Sequence, residues 1–397
     1  MRLAPPAPAK HDFVAGNRLS LLKSGGEYFP ALIAAIDAAR HEVHLETYIF
    51  ADDTTSRRVA AALGCAARRG VAVRVLVDGF GARDFATGLG LSLEADRVEV
   101  MTYRPEAGRY GFRRHRLRRL HRKLVTIDGR IAFVGGINVI DDFDDGRSAA
   151  ARFDYAVQVE GPLVAHIHAT MRHVWRLVRW ARLGRRPPPP ATLPVAPPIV
   201  GTALAALPIR DNLRHRHDIE HAYLQAIHGA RREIVIANAY FLPGRRFRKV
   251  LLAAAQRGVV VKLLLQGPTD HILLHYATQS LYDRMLSAGV RVFEYEPAEL
   301  HAKVAVIDDD WATVGSSNID PFSLLLSREA NLVVRDAAFA GELRTSLETA
   351  IDGAAREIRA EHYHHRSWLA RLASAAAYSL VRLLIGATRY AGKQYSD

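Results

Sequence analysis

A chain of 397 residues with 49% apolar and 24% charged side chains has an ordinary globular composition and can bury one large core or two modest ones. Its formal net charge of +13 favours acidic partners: nucleic acid, an anionic bilayer or phosphate-bearing small molecules. A single cysteine, Cys65, excludes an intramolecular disulfide and a Cys-rich zinc site, and is expected to be a small buried hydrophobe.

The N-terminal stretch "MRLAPPAPAKHDF" has no apolar run of signal-peptide length, and no segment offers the roughly 20 uninterrupted apolar residues of a membrane span. The expectation is a protein made and kept in the cytosol. A repeat then organises the chain. "AIDAARHEVHLETYIF" at 35–50 aligns with "AIHGARREIVIANAYF" at 226–241, each reading as a helix end followed by an apolar strand. "RRGVAVRVLVDG" at 68–79 aligns with "QRGVVVKLLLQG" at 256–267, a glycine-stopped helix and a buried strand in each case. "HRKLVTIDGRIAFVGGIN" at 121–138 aligns with "HAKVAVIDDDWATVGSSN" at 301–318. Three blocks in one order predict two α/β halves rather than a solenoid. "RRPPPPATLPVAPP" at 185–198 predicts a stiff connector between them.

The third block carries the chemistry. Both copies obey H-x-K-x4-D, as His121, Lys123, Asp128 and His301, Lys303, Asp308, where chance placement would give roughly 0.02 matches per chain. Positive charge in this chain is mostly arginine, yet both positions hold lysine, a compact point charge for phosphate. Strand periodicity puts His121 and Lys123 on one face, and His301 and Lys303 likewise. Asp128 and Asp308 have the opposite parity and are expected to serve the tight turn that follows. The small residues and amide after each hairpin, among them Gly136 and Asn138 in one half and Ser316 and Asn318 in the other, would let backbone N–H groups approach a phosphate.

With these motifs, and with "DYAVQVEGP", "IANAYFLPG" and "TVGSSNIDPFSLLLSREANLVV", the sequence resembles the phospholipase D superfamily and, within it, the short bacterial cardiolipin synthases. The resemblance implies an α/β fold (α+β in some schemes) in which each half is a mixed sheet flanked by helices. The halves would pack as a pseudo-twofold intrachain dimer that brings both H-x-K strands into one site. It implies the chemistry as well: one histidine attacks the phosphodiester phosphorus to give a phosphohistidine, the other protonates the departing alcohol and deprotonates the incoming one, and no metal or cofactor takes part. By that analogy His121 is the nucleophile and His301 the general acid/base, while Lys123, Lys303, Asn138 and Asn318 clamp phosphoryl oxygens.

Two like motifs must become unlike, since a nucleophilic imidazole is neutral and an acidic one protonated near the same pH. Asp154 and Glu329, each some thirty residues beyond the histidine of its own half, are the candidate carboxylate partners that fix ring tautomer and orientation. Arg113, Arg114, Arg116, Arg118 and Arg119 precede the first motif and would face anionic headgroups at the mouth of the site. Nucleic acid is disfavoured there because no aromatics are interleaved for base stacking. Glu46 and Tyr48, matched to Asn238 and Tyr240, are further candidates for the cleft. The expected domains are 1–180, a linker at 181–208, 209–350, and a tail at 351–397. That tail, "WLARLASAAAYSLVRLLIGATRYAGK" from Trp368, is interrupted by Arg371, Arg382 and Arg389, so it would lie in a membrane interface or pack on the second half. "DDFDDG" at 141–146 and "EHYHHR" at 361–366 are not read as metal sites. The expected partners are phosphatidylglycerol and the cytoplasmic face of a bacterial inner membrane, held peripherally.

Overall fold

The computed structural model describes residues 12–105, 118–143, 150–183, 197–211, 214–267, 272–320, 327–364 and 367–387. The first half contains β1 (Val14–Lys23), α1 (Ser24–Asp37), β2 (Glu42–Thr47), α2 (Thr54–Arg68), β3 (Ala72–Asp78), α3 (Leu89–Ala95), β4 (Glu99–Tyr103), β5 (Arg119–Leu120), β6 (Lys123–Ile127), β7 (Ile131–Gly135), β8 (Tyr155–Glu160) and α4 (Leu163–Leu183). The second contains β9 (Ala203–Ala206), β10 (Ile209–Arg210), α5 (Asp218–Gly229), β11 (Glu233–Asn238), α6 (Arg245–Gln256), β12 (Val260–Gln266), α7 (Ile272–Gln279), α8 (Tyr282–Leu286), β13 (Arg291–Tyr295), β14 (Lys303–Ile307), β15 (Trp311–Gly315) and β16 (Ser327–Arg335). It ends with α9 (Ala337–Ala354), β17 (Ala355–Ile358), α10 (Ala360–His364) and α11 (Trp368–Ala387).

The two sheets repeat one another. In the first the order is β1, β8, β7, β6, β2, β3, β4, antiparallel up to β2 and parallel beyond it. In the second it is β9, β16, β15, β14, β11, β12, β13, β17, with the parallel pairs again at β11, β12 and β13. The parallel strands read as continuous Val/Leu/Ile runs because helices cover them. Strand β9 pairs with both β1 and β16 and so ties the sheets together. The expected linker at 181–208 therefore includes the end of α4 and a strand, and the second sheet continues into the expected tail through β17. Most of the proline-rich run lies outside the described residues.

One core lies between the sheets and joins the halves. Leu124, Val134 and Val157 of the first meet Val304, Val314 and Leu332 of the second, closed by Ile167 and Met171 from α4 and Leu343 and Leu347 from α9. Each sheet also buries its outer face under helices, α1 and α2 on one side, α5 and α6 on the other. Cys65, expected inside, is exposed on α2.

The motif aspartates sit in the turn as expected, but their carboxylates serve a different segment. Asp128 takes a left-handed backbone (φ 51) in the loop between β6 and β7, and its carboxylate accepts the N–H groups of Arg40, His41 and Glu42 at 2.9, 2.7 and 2.9 Å. Asp308 (φ 50) does the same for Arg231, Arg232 and Glu233. Each thereby anchors the start of the neighbouring central strand. Asp128→Ala loses three charge-assisted bonds and the residue type that tolerates this φ, so it is expected to cost about 2 kcal/mol in urea unfolding, with Asp128→Asn milder.

Candidate active site

Both motif histidines are placed by backbone bonds before their rings do anything. Asp78, at the end of β3, accepts the N–H of Leu120 at 2.7 Å, and Gln266, at the matching end of β12, accepts the N–H of Leu300. His121 donates its own N–H to the carbonyl of Arg328 (3.0 Å), and His301 donates to that of Phe153 (2.9 Å). Each histidine is thus stitched to the residue that precedes the acid of the other half. Sequence reasoning missed Asp78 and Gln266; the available signal was a polar residue closing an otherwise apolar strand in both repeats.

That stitching decides the carboxylate partners. Glu329 lies 3.1 Å from Nδ1 of His121, and Asp154 lies 2.6 Å from Nδ1 of His301. The acids are those expected, but they cross between halves instead of serving the histidine of their own. The cause is local geometry: β5 runs parallel to the start of β16, and Leu300 bridges Phe153, so the next side chain along each strand faces the opposite half's ring. A carboxylate on Nδ1–H fixes the tautomer that leaves the Nε2 lone pair free.

Burial sets the charge of the site. It pushes His121 below the usual imidazole range, against the pull of Glu329, and pushes His301 well below it, with Lys303 adding to the effect. Burial also brings Lys123 down to about 7 and lowers Lys303. It raises Asp154 to about 6. Lys123 Nζ donates to the carbonyl of His121 at 2.7 Å, and Lys303 donates to that of His301. Lys303 also sits 3.9 Å from Asp154. Lys303 depresses Lys123, and each lysine depresses the histidine of the opposite half, which puts all four basic groups in one neighbourhood. A site so crowded with basic groups resists further protonation until an anion enters.

The small residues after the hairpins have a different job from the one expected. The N–H of Gly136 goes to Tyr155 (2.9 Å) and that of Ser316 to Ala330 (3.1 Å), so both are spent on the sheet and neither reaches a phosphate. Instead they make room for the acids. Ser316 Oγ donates to Glu329 at 2.6 Å, while a Cβ at Gly136 would stand 2.4 Å from the Asp154 carboxylate. Gly136→Ala is therefore expected to displace Asp154 and lower kcat by about 10²-fold with circular dichroism unchanged. Asn138 and Asn318 are buried beside these residues; Asn138 Oδ1 accepts the N–H of Ile49 (3.2 Å), which leaves its Nδ2 as a donor.

Tyr48 lines the cleft, its ring 4.9 Å from that of His121 and 5.5 Å from Lys123 Nζ. Glu46 does not. It is buried beneath the motif strand in an ion pair with Arg122 (2.5 Å), where the other half has Ala237 and Ala302. The strand register sets Thr47, not Glu46, against Asn238, and Tyr48 against Ala239, a one-residue correction to the expected match. Asn238 accepts the N–H of Ile319, in mirror fashion to Asn138 and Ile49. Of the arginine cluster, Arg119 stacks on the exposed ring of Phe80 (4.5 Å) opposite Arg83 (4.3 Å), whereas Arg113, Arg114 and Arg116 lie outside the described residues. Asp141 and Asp142 accept bonds from Thr55 and Gly25, and the rest of that acidic run lies outside the described residues. So does His365.

Two crossed histidine–carboxylate pairs with two buried lysines fit one family description, "Cardiolipin synthase, PLD-like domain", which matches residues 32–175 and 223–351, one stretch per half. The chain belongs to the cardiolipin synthase family of the phospholipase D superfamily. Cardiolipin synthase B of Escherichia coli is 39% identical over 377 residues, covering 92% of this chain and 88% of that one. Cardiolipin synthase A of Pseudomonas putida is 33% identical, covering 90% and 73%. Among solved structures, phosphatidylserine synthase of Haemophilus influenzae superposes with a TM-score of 0.65 over 96% of both chains at 14% identity, a likeness of fold. The family is one of enzymes, and the two-half architecture of this member is the phospholipase D fold.

Proposed function

We propose that this family member is a cardiolipin synthase that moves the phosphatidyl group of one phosphatidylglycerol onto the glycerol hydroxyl of a second, releasing glycerol. The observation that carries the reading is the crossed pair of carboxylate-oriented imidazoles at one lysine-lined site. His121 Nε2 attacks phosphorus, and the bond to the glycerol oxygen breaks as His301 gives that oxygen a proton. The neutral His301 then takes the proton of the incoming hydroxyl, whose oxygen displaces His121 from phosphorus. The substrate's negative charge offsets the local positive charge and lets one imidazole be protonated. Lys123, Lys303 and the amide donors of Asn138 and Asn318 stabilise the equatorial oxygens. Peptide mapping of a trapped phosphohistidine tests the assignment of His121 as nucleophile.

The test is product analysis. Incubated with phosphatidylglycerol vesicles, the protein should yield cardiolipin and free glycerol. Phosphatidic acid would make it a hydrolase, nicked DNA in a parallel reaction a nuclease, and no product a binding protein.

Membrane contact is assigned to α11 and α7. No helix among the described residues is long and apolar enough to cross a membrane. Helix α11 packs one face on the second half, the second of the two expectations, and leaves another face exposed. Ser374, Ala377 and Val381 are buried on the second half's core, while Trp368, Leu369, Leu372, Leu380 and Leu383 stand exposed, continued by Ile272 and Leu273 of α7. With Arg371 and Arg382 on the same helix, that face suits an anionic bilayer on the cytoplasmic side of the inner membrane. Leu372→Glu with Leu380→Glu should weaken co-sedimentation with phosphatidylglycerol vesicles by at least about tenfold and leave the fold intact; unchanged binding would remove α11 from the interface.

A further inference from the structure

A second cavity, of about 680 Å³, opens between β4 and the last turns of α4. Its walls divide by chemistry. Val100 from β4 and Leu177, Val178 and Trp180 from α4 give one apolar side, and Leu177 and Trp180 remain 39% and 54% exposed although nothing covers them among the described residues. Arg104, Arg182 and Arg328 give the other, against a single acid, Glu94.

The arginines are set for an anion. Arg104 follows the end of β4 in a left-handed backbone (φ 51), a conformation that a long side chain adopts only when its surroundings hold it there. Its guanidinium lies 5.5 Å from the ring of Tyr103, and its Nη1 is buried without a hydrogen-bond partner among the described residues. An unpaired buried guanidinium nitrogen is costly unless a ligand satisfies it. Arg328 donates from Nε to the Tyr103 hydroxyl (3.3 Å), and its carbonyl holds the N–H of His121. The cavity wall is thus one residue from Glu329, yet neither His121 nor His301 lines the cavity.

We propose that this cavity binds an anionic phospholipid distinct from the one being cleaved, with an acyl chain along Val100, Leu177, Val178 and Trp180 and its phosphate at Arg104 and Arg328. The size suits one chain, since ligand sites run to about 300–1,000 Å³. Long apolar walls with a cationic rim select an amphiphile over a free phosphate or a neutral lipid. Through Arg328 the bound lipid would steady the backbone that carries both His121 and its carboxylate, so the site is one of activation by the membrane's own anionic lipid.

Photolabelling tests this on the whole protein, with vesicles carrying phosphatidylglycerol that bears a diazirine in one acyl chain, and phosphatidylcholine of the same design as control. The expected adducts fall on peptides spanning 99–105 and 174–182, about tenfold more with phosphatidylglycerol than with phosphatidylcholine. Ala181→Trp, at an exposed position on the rim, should block them, and Arg104→Gln should reduce the preference for phosphatidylglycerol. Adducts confined to the motif segments 119–124 and 300–304, equal labelling by both lipids, or labelling unaffected by Ala181→Trp would each overturn the proposal. The adducts report binding alone, so they stand or fall apart from the synthase assay.

Discussion

Replacing His121 or His301 by alanine is expected to lower cardiolipin formation by at least about 10⁴-fold, because in the proposed mechanism one change removes the atom that bonds phosphorus and the other the proton carrier for both alcohols. The two losses should not add: the double variant should be no worse than the poorer single one, as happens when groups act as a unit. Vesicle binding should survive in both, since neither ring touches the exposed face of α11. A single variant that retained a tenth of the parent rate would remove that histidine from the mechanism.

Asp154→Asn and Glu329→Gln are expected to be nearly as damaging, at about 10³- to 10⁴-fold in kcat with little change in fold, because an amide can hold the ring in the wrong tautomer. The crossing makes a sharper demand. In spectra of protein labelled with nitrogen-15 at histidine, Asp154→Asn should shift the His301 signals and leave those of His121 in place, and Glu329→Gln should do the converse. If Asp154→Asn moved His121 instead, the carboxylates would serve their own halves and the geometry described above would be wrong.

Much of this was legible beforehand, for definite reasons. The repeat survives in apolar strands whose burial on both faces restricts what can replace them, and H-x-K is short enough to be read without knowing how strands pair. The place of Asp128 in the turn followed from parity, but its hold on Arg40, His41 and Glu42 did not. What could not be read depends on which strand lies beside which. Glu329 and Asp154 sit at like distances beyond their own histidines, so spacing could not reveal that β5 lies against β16 and Leu300 against Phe153. The same holds for Gly136, whose smallness looked like room for phosphate and proved to be room for Asp154. Arg122 lay inside a basic run and could not be told from the other arginines until Glu46 was found beneath it.

The exchange of carboxylates also bears on how such a catalyst is made safely. His121 depends on a residue 208 positions further along, and His301 on one 147 positions back, so the amino-terminal portion leaving the ribosome carries an imidazole with no acid to orient it. Competence to break a lipid ester of phosphate arrives only when synthesis is nearly complete and the sheets have closed on each other. A product truncated before residue 329 therefore lacks the carboxylate that orients His121.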